Sequence, residues 1–195
     1  SLFAGEMPKH HGEMFQVEGR RLANGKRDIP IVLAASRPNM LKKAGRDSDG
    51  VLISAATAPA FVKQVLAQSD AGRKIHKAAL VYTKLGSPDS LRRPIGFVLR
   101  GAHHAENVRL GGTNLDQKAL WDAYAAEDWA TVDRLVTDDV VRQHTACGTA
   151  EEVRAKLAEY RAIGLDEVVL GGVDDAASDR KSTRLNSSHV SESRM

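Results

Sequence analysis

Small and polar residues follow two apolar runs of this chain, and these residues are candidates for contact with a bound molecule. The first run is Ile29–Ala35 and the second is Val51–Ile53. Small side chains let a backbone come close to another group, since no bulky atoms keep the two apart. The residues that end the two runs are Ala34, Ala35 and Ser36, and Ser54, Ala55 and Ala56.

Other residue groups that could carry chemistry have simpler structural interpretations. His10 and His11 are neighbours, and adjacent side chains of an extended segment point to opposite faces, which disfavours a shared metal. The polar segment from His103 to Asn107 is expected on a helix surface or in a turn. The single Cys147 permits neither an internal disulfide nor a CxxC metal site, so we expect no metal. Two tryptophans are predicted to anchor the core rather than to bind a ligand, namely Trp121 and Trp129.

The segment Ile29–Ser54 is predicted to form a strand–helix–strand unit. Its two apolar runs are too short for free-standing helices and lack alternation, which is typical of parallel strands buried on both faces. Ser36 is expected to cap the intervening helix, Pro38 to lie in its first turn and Gly45 to end it. The connection has the length that a right-handed parallel crossover requires.

The rest of the chain repeats this alternation of helices and strands. Thr57 followed by Pro59 predicts a helix that ends near Asp70, and a third strand is expected at Lys77–Lys84. Pro94 is expected to divide the segment 90–99 into two helical pieces. Thr149 and Glu152 form a capping-box pattern at a helix start, before a fourth strand at Val168–Leu170. Four strands alternating with helices predict an α/β sheet or barrel.

Composition limits the classes of function. The 195 residues suggest one domain, and a net charge of +3 gives no support to nucleic-acid binding. No apolar run approaches the ~20 residues that span a bilayer, so we expect no membrane partner and a cytoplasmic location. Residues 174–195 are poor in apolar side chains and resemble adapter or vector sequence, and we expect a disordered tail there. The folded domain is therefore expected at residues 1–173.

Three segments resemble luciferase-like monooxygenases, in the order of that family. PIVLAASRPNMLKKAGRDSDGVLIS resembles a family segment that contains a Pro turn, a Leu-x-x-Ala-Gly helix and Ala-Asp-Gly-Val. SLFAGEMPKHHGEMFQVEG resembles the segment before it, and GTAEEVRAKLAEYRAIGLDEVVLGG resembles the closing helix and last strand. The resemblance implies the C-terminal half of a (β/α)₈ TIM barrel, with the active site at the C-terminal ends of the strands.

The resemblance also implies a cofactor and a reaction. The cofactor would be reduced FMN, or a related deazaflavin, and the intact enzyme would oxidise a small organic substrate with dioxygen. Deazaflavin-dependent hydride transfer is the alternative reaction, and a non-catalytic, self-assembling half-barrel is the alternative of another class. The intact enzyme is expected to be a homo-oligomer, and this part of it to be inactive alone.

The resemblance implies that two loops form the wall that holds the cofactor phosphate. They are Ala35, Ser36, Arg37 and Pro38 after the first apolar run, and Ser54, Ala55 and Ala56 after the second. Backbone N–H groups at helix starts favour anions, and Arg37 could add a charge-assisted contact. The family often has Gly where this chain has Ser36 and Arg37, so a side chain here either crowds the phosphate or binds it. The simpler alternative is that Ser36 only caps its helix and Arg37 is solvated. No catalytic residue is assigned, because in this family most candidate acid–base residues lie in the N-terminal half of the barrel sequence.

Overall fold

The computed structural model describes residues 2–54 and 56–172, which form two compact units that meet in sequence at Ile31 and Val32. In the first unit, β1 (Lys9–His11) and β2 (Gln16–Glu18) form an antiparallel hairpin. Both strands are exposed except at Val17.

A parallel sheet forms the centre of the second unit. Its elements in chain order are β3 (Val32–Ala34), α1 (Pro38–Asp47), β4 (Gly50–Ile53), α2 (Pro59–Gln68), β5 (His76–Leu85), α3 (Asp89–Leu99), α4 (Ala105–Leu110), α5 (Gln117–Ala125), α6 (Trp129–Leu135), α7 (Asp138–His144), β6 (Ala146–Gly148), α8 (Ala150–Ala162) and β7 (Glu167–Gly171). β4 lies between β3 and β5, while β5 pairs with β7 along its middle and with β6 at its end. All pairings of this sheet are parallel, as the expected α/β class requires.

Two apolar clusters stabilise the second unit. The first joins the sheet to α1, α2 and α8 through fully buried side chains such as Val51, Leu41, Val62 and Tyr160. The second lies among the helices between β5 and β6 and includes Ile95, Leu120 and Val132. None of the described helices is both long and apolar enough to cross a membrane.

The start and end of α1 differ from the sequence prediction. Ser36 does not cap the helix, because the cap position is taken by Arg37, which is extended and offers no side-chain bond to the first turn. Pro38 occupies the first helical position, as expected. Gly45 does not end the helix, which continues to Asp47. Gly45 is instead buried where α1 meets the end of α2, and a Cβ there would lie 1.9 Å from the Ser69 carbonyl oxygen.

The helices that follow β5 also differ from the sequence prediction. α3 is one helix that contains Pro94, although the proline removes the N–H that would bond to the Ser90 carbonyl and its ring crowds that carbonyl. The complete burial of Ile95 and Leu99 favours a continuous helix across the proline. Trp121 and Trp129 are not core anchors, since 53% and 39% of their surfaces are exposed. Their rings lie 4.9 and 5.0 Å from the guanidinium carbons of Arg100 and Arg93, respectively.

The closing part of the unit largely confirms the prediction. The capping box is present, since Thr149 accepts a bond from the Glu152 amide and Glu152 accepts one from the Thr149 amide. The predicted last strand is β7. The sequence did not predict β6, whose three residues Ala-Cys-Gly carry no β-branched side chain and extend only because they pair with the end of β5.

Candidate cofactor site

A cavity opens at the C-terminal ends of β3 and β4. The strands are parallel, with Ala34 opposite Leu52, and the Ala35 amide donates to the Leu52 carbonyl at 3.0 Å. The two strand ends therefore meet at the same edge of the sheet. The cavity measures about 440 Å³, within the usual range for small-molecule sites. It is called the β3–β4 cavity here, and its lining is Ala34, Ala35, Ser36, Arg37, Met40, Leu52, Ile53, Ser54 and Leu80.

The structure brings most of the expected site residues to the β3–β4 cavity. The residues from both loops that line it are Ala35, Ser36, Arg37 and Ser54. Pro38 is not part of the lining and begins α1 directly after it. Ala56 is fully buried in the apolar cluster among the helices and does not line the cavity. Ala55 lies outside the described residues.

The N-terminus of α1 gives the β3–β4 cavity its polar character. Arg37 caps the helix without a side-chain bond, and Pro38 carries no N–H. The α-helical pattern leaves the amides of Asn39 and Met40 without intrahelical acceptors, and Met40 lines the cavity. Arg37 is exposed and makes no ion pair within the described parts of the chain. A cation beside free amides at a helix start favours an anionic group.

The polar segment after α3 is more buried than the sequence predicted. His104 ends a 3₁₀ turn and Asn107 lies in α4, and both are buried although a helix surface or turn was expected. The pKa of His104 is lowered to about 4, chiefly by burial and to a smaller extent by the nearby His103 and Arg37. His104 is therefore neutral at pH 7. The sequence offered no signal for the burial of Asn107, whose partners lie about fifty residues earlier in the chain.

The β3–β4 cavity is built for binding rather than for proton transfer. Its polar side chains are Ser36, Arg37 and Ser54, and the lining includes neither a carboxylate nor a histidine. A general base near neutral pH normally comes from one of those groups. Among the residues that the structure describes, no three His, Cys, Asp or Glu side chains cluster as metal ligands.

Comparison with known proteins gives the chain a family context. A family model described as luciferase-like monooxygenase matches residues 1–167. The 5,10-methylenetetrahydromethanopterin reductase of Methanolobus tindarius is 29% identical over 183 residues, which cover 87% of this chain and 56% of the relative. The reductase of the same name from Archaeoglobus fulgidus is 27% identical over 187 residues, with the same coverage. The chain thus spans a little over half the length of these relatives.

A solved structure shares the fold. The coenzyme F420 dependent tetrahydromethanopterin reductase from Methanopyrus kandleri superimposes with a TM-score of 0.76 at 20% identity. The match covers 94% of this chain and 58% of that one. The parallel sheet with its helices is therefore a fold that this chain shares with luciferase-like barrel enzymes, as the sequence predicted.

Proposed function

Since this chain belongs to the luciferase-like monooxygenase family, we propose that its intact form is an oxidoreductase that holds a flavin-type cofactor in the β3–β4 cavity. The observation that carries this proposal is that three features lie at one cavity: the start of α1, which has no side-chain cap bond, the exposed Arg37, and Ser54. Such a wall fits the phosphate group that these cofactors carry. Ala35, Ser36 and Pro38 shape its backbone, and Ala56 belongs to the loop beside it, while the expected site residue Ala55 lies outside the described residues.

We propose a deazaflavin coenzyme as the first candidate and FMN as the second. The named relatives are reductases, and the solved structure with the same fold is described as dependent on coenzyme F420. The bound cofactor would then exchange a hydride with a small organic substrate. FMN with dioxygen is favoured by the description of the family itself. With either cofactor, this chain would bind and orient the phosphate-bearing end.

We expect the chain by itself to bind the cofactor without completing the reaction. The β3–β4 cavity presents no group that can take up or release a proton near pH 7. We also propose that residues 1–173 are the C-terminal half of the barrel domain and that the intact enzyme is a cytoplasmic homo-oligomer. The proposed tail at 174–195 lies outside the described residues.

FMN and riboflavin, which differ only in the phosphate, test the phosphate wall, and coenzyme F420 tests the choice of cofactor. The full chain is titrated with coenzyme F420, FMN and riboflavin while the cofactor fluorescence is followed. FMN should bind at least about tenfold more tightly than riboflavin, because a charge-assisted bond contributes about 1.5–3 kcal/mol. Tighter binding of coenzyme F420 than of FMN would select the deazaflavin candidate. Equal binding of FMN and riboflavin would contradict the phosphate wall.

Arg37→Gln provides the matching variant. It should weaken FMN binding about tenfold and leave riboflavin binding unchanged, since only FMN carries the anion. Arg46→Gln is the control, because Arg46 is exposed at the other end of the same helix and pairs with Asp47 at 2.7 Å. A similar loss of affinity in both variants would show a general charge effect and would count against a specific role of Arg37.

A further inference from the structure

We propose that Asn107 and Tyr160 are positioning residues that hold Ser54 and residues 56–58, the described part of the β4–α2 loop, and thereby fix Ser54 at the wall of the β3–β4 cavity. The inference rests on the proposed function, since it concerns the same cofactor site. Neither side chain lines the cavity. Both are fully buried behind the loop and act on its backbone through hydrogen bonds.

Asn107 bonds to two places in the loop with one side chain. Its Nδ2 donates to the Ala56 carbonyl at 2.7 Å, and its Oδ1 accepts from the Ala58 amide at 2.9 Å. Ala58 is the cap residue of α2, and its side chain makes no cap hydrogen bond. Asn107 therefore supplies from α4 an acceptor for the Ala58 amide, one of the N–H groups at a helix start that have no intrahelical partner. A donor and an acceptor are both needed, and an amide provides them in one residue.

The backbone that Asn107 holds is conformationally unusual. Ala56 has φ +56°, in the left-handed region that non-glycine residues rarely adopt. An alanine in this region is strained because its Cβ crowds the backbone, so surrounding contacts must hold it there. The bond from Asn107 to the Ala56 carbonyl is one such contact, and the complete burial of the Ala56 methyl group is another.

Tyr160 connects the loop to α8 and, through Thr57, to the β3–β4 cavity. Its hydroxyl donates to the Thr57 carbonyl at 2.6 Å, across 103 residues of sequence. The Thr57 hydroxyl in turn donates to the Ser54 carbonyl at 3.0 Å. Ser54 is exposed and lines the cavity. Hydrogen bonds thus connect Tyr160 through Thr57 to Ser54 of the cofactor wall, while Asn107 holds the two residues on either side of Thr57.

Asn107→Ala in the full chain tests the inference. FMN and coenzyme F420 are titrated at a temperature where circular dichroism shows the variant to be folded. We expect at least a fivefold loss of affinity. Gln117→Ala is the matched control, because the Gln117 amide also donates to two carbonyls, those of Leu99 and Gly101 at 2.6 and 2.9 Å, away from the cavity. Its affinity should stay within twofold of the unaltered chain.

Tyr160→Phe is the second variant and decides the question if Asn107→Ala does not fold. It removes one hydroxyl and keeps the buried ring, and we expect a two- to fivefold loss of affinity. Wild-type affinity in every folded variant of Asn107 and Tyr160 would overturn the positioning role and leave the proposed function intact. Failure of the unaltered chain to bind either cofactor would overturn both.

Discussion

His144 is a buried histidine whose hydrogen bonding is incomplete. None of its surface is exposed, and its Nε2 lies 3.3 Å from the Thr113 hydroxyl. Its Nδ1 has no hydrogen-bond partner among the described residues. Gly111 packs against the ring, where a Cβ would lie 2.9 Å from Cε1 and Nε2. The site therefore accommodates a neutral imidazole and disfavours a charged one.

His104 and His144 respond to burial in the same way. The pKa of each is lowered to about 4, and burial is the largest cause at both. At His104 the neighbouring His103 and Arg37 also lower the pKa. At His144 the Ala56 backbone raises it, while His104 and Lys156 lower it. In the unfolded chain a histidine has a pKa of about 6.5. Between pH 6.5 and pH 4 the unfolded chain thus binds protons that the folded chain does not.

Stability should therefore fall as the pH decreases through this window. We expect the free energy of unfolding in urea to be lower at pH 5 than at pH 7 by about 2 kcal/mol or more, since each histidine contributes up to about 1.4 kcal/mol per pH unit. His144→Leu should reduce the difference, because it removes one of the two buried imidazoles. Equal stability at both pH values would contradict this account.

At the scale of elements, α1 and α2 approach each other most closely at Gly45. The Ser69 carbonyl at the end of α2 occupies the space where a Cβ of Gly45 would lie. The sequence suggested that this glycine ends α1, since glycine frequently follows the last turn of a helix. Its role is to permit contact between the two helices, which cover the sheet together with α8.

Gly45→Ala should destabilise the second unit although alanine is the better helix former. A Cβ 1.9 Å from a backbone oxygen must displace one helix, and overpacking of this kind costs about 1–3 kcal/mol. Urea unfolding measures the change. Lys42→Ala is the control, because Lys42 is exposed on the same helix and its removal should alter stability by less than about 0.5 kcal/mol. A stabilised Gly45→Ala variant would contradict the observed packing.

At the scale of the whole molecule, the sheet presents an unpaired edge at β3. Within the described residues, β3 pairs with β4 and with no other strand. Val32 in β3 is 45% exposed. Met40, which lies in α1 beside the C-terminal end of β3, is 42% exposed. An exposed apolar strand edge is a template for pairing with another chain. The alternative of a self-assembling half-barrel would use this edge.

Sedimentation velocity should accordingly show the full chain as a dimer or a larger species. Val32→Lys should shift the distribution towards the monomer, because a charge on an edge strand opposes pairing. Met14→Lys replaces a residue of the first unit that is 91% exposed and should have no such effect. A monomeric unaltered chain would count against pairing at β3.

Features that depend on near neighbours in sequence were predictable. The apolar runs identified β3, β4, β5 and β7, and the pattern of Thr149 and Glu152 identified the start of α8. The succession of strands and helices predicted the α/β class, and the family resemblance added the half-barrel. Both candidate loops were found from their sequence, because each directly follows an apolar strand.

Only the tertiary structure decided the features whose causes lie far along the chain. Gly45 is required by Ser69, and β6 is extended because it pairs with β5. Asn107 bonds to residues 49 and 51 positions away. A local pattern cannot reveal such partners, because residues distant in sequence become neighbours only when the sheet and its helices pack. The sequence by itself therefore determined the elements and the loops of the candidate site, while packing determined what holds those loops in place.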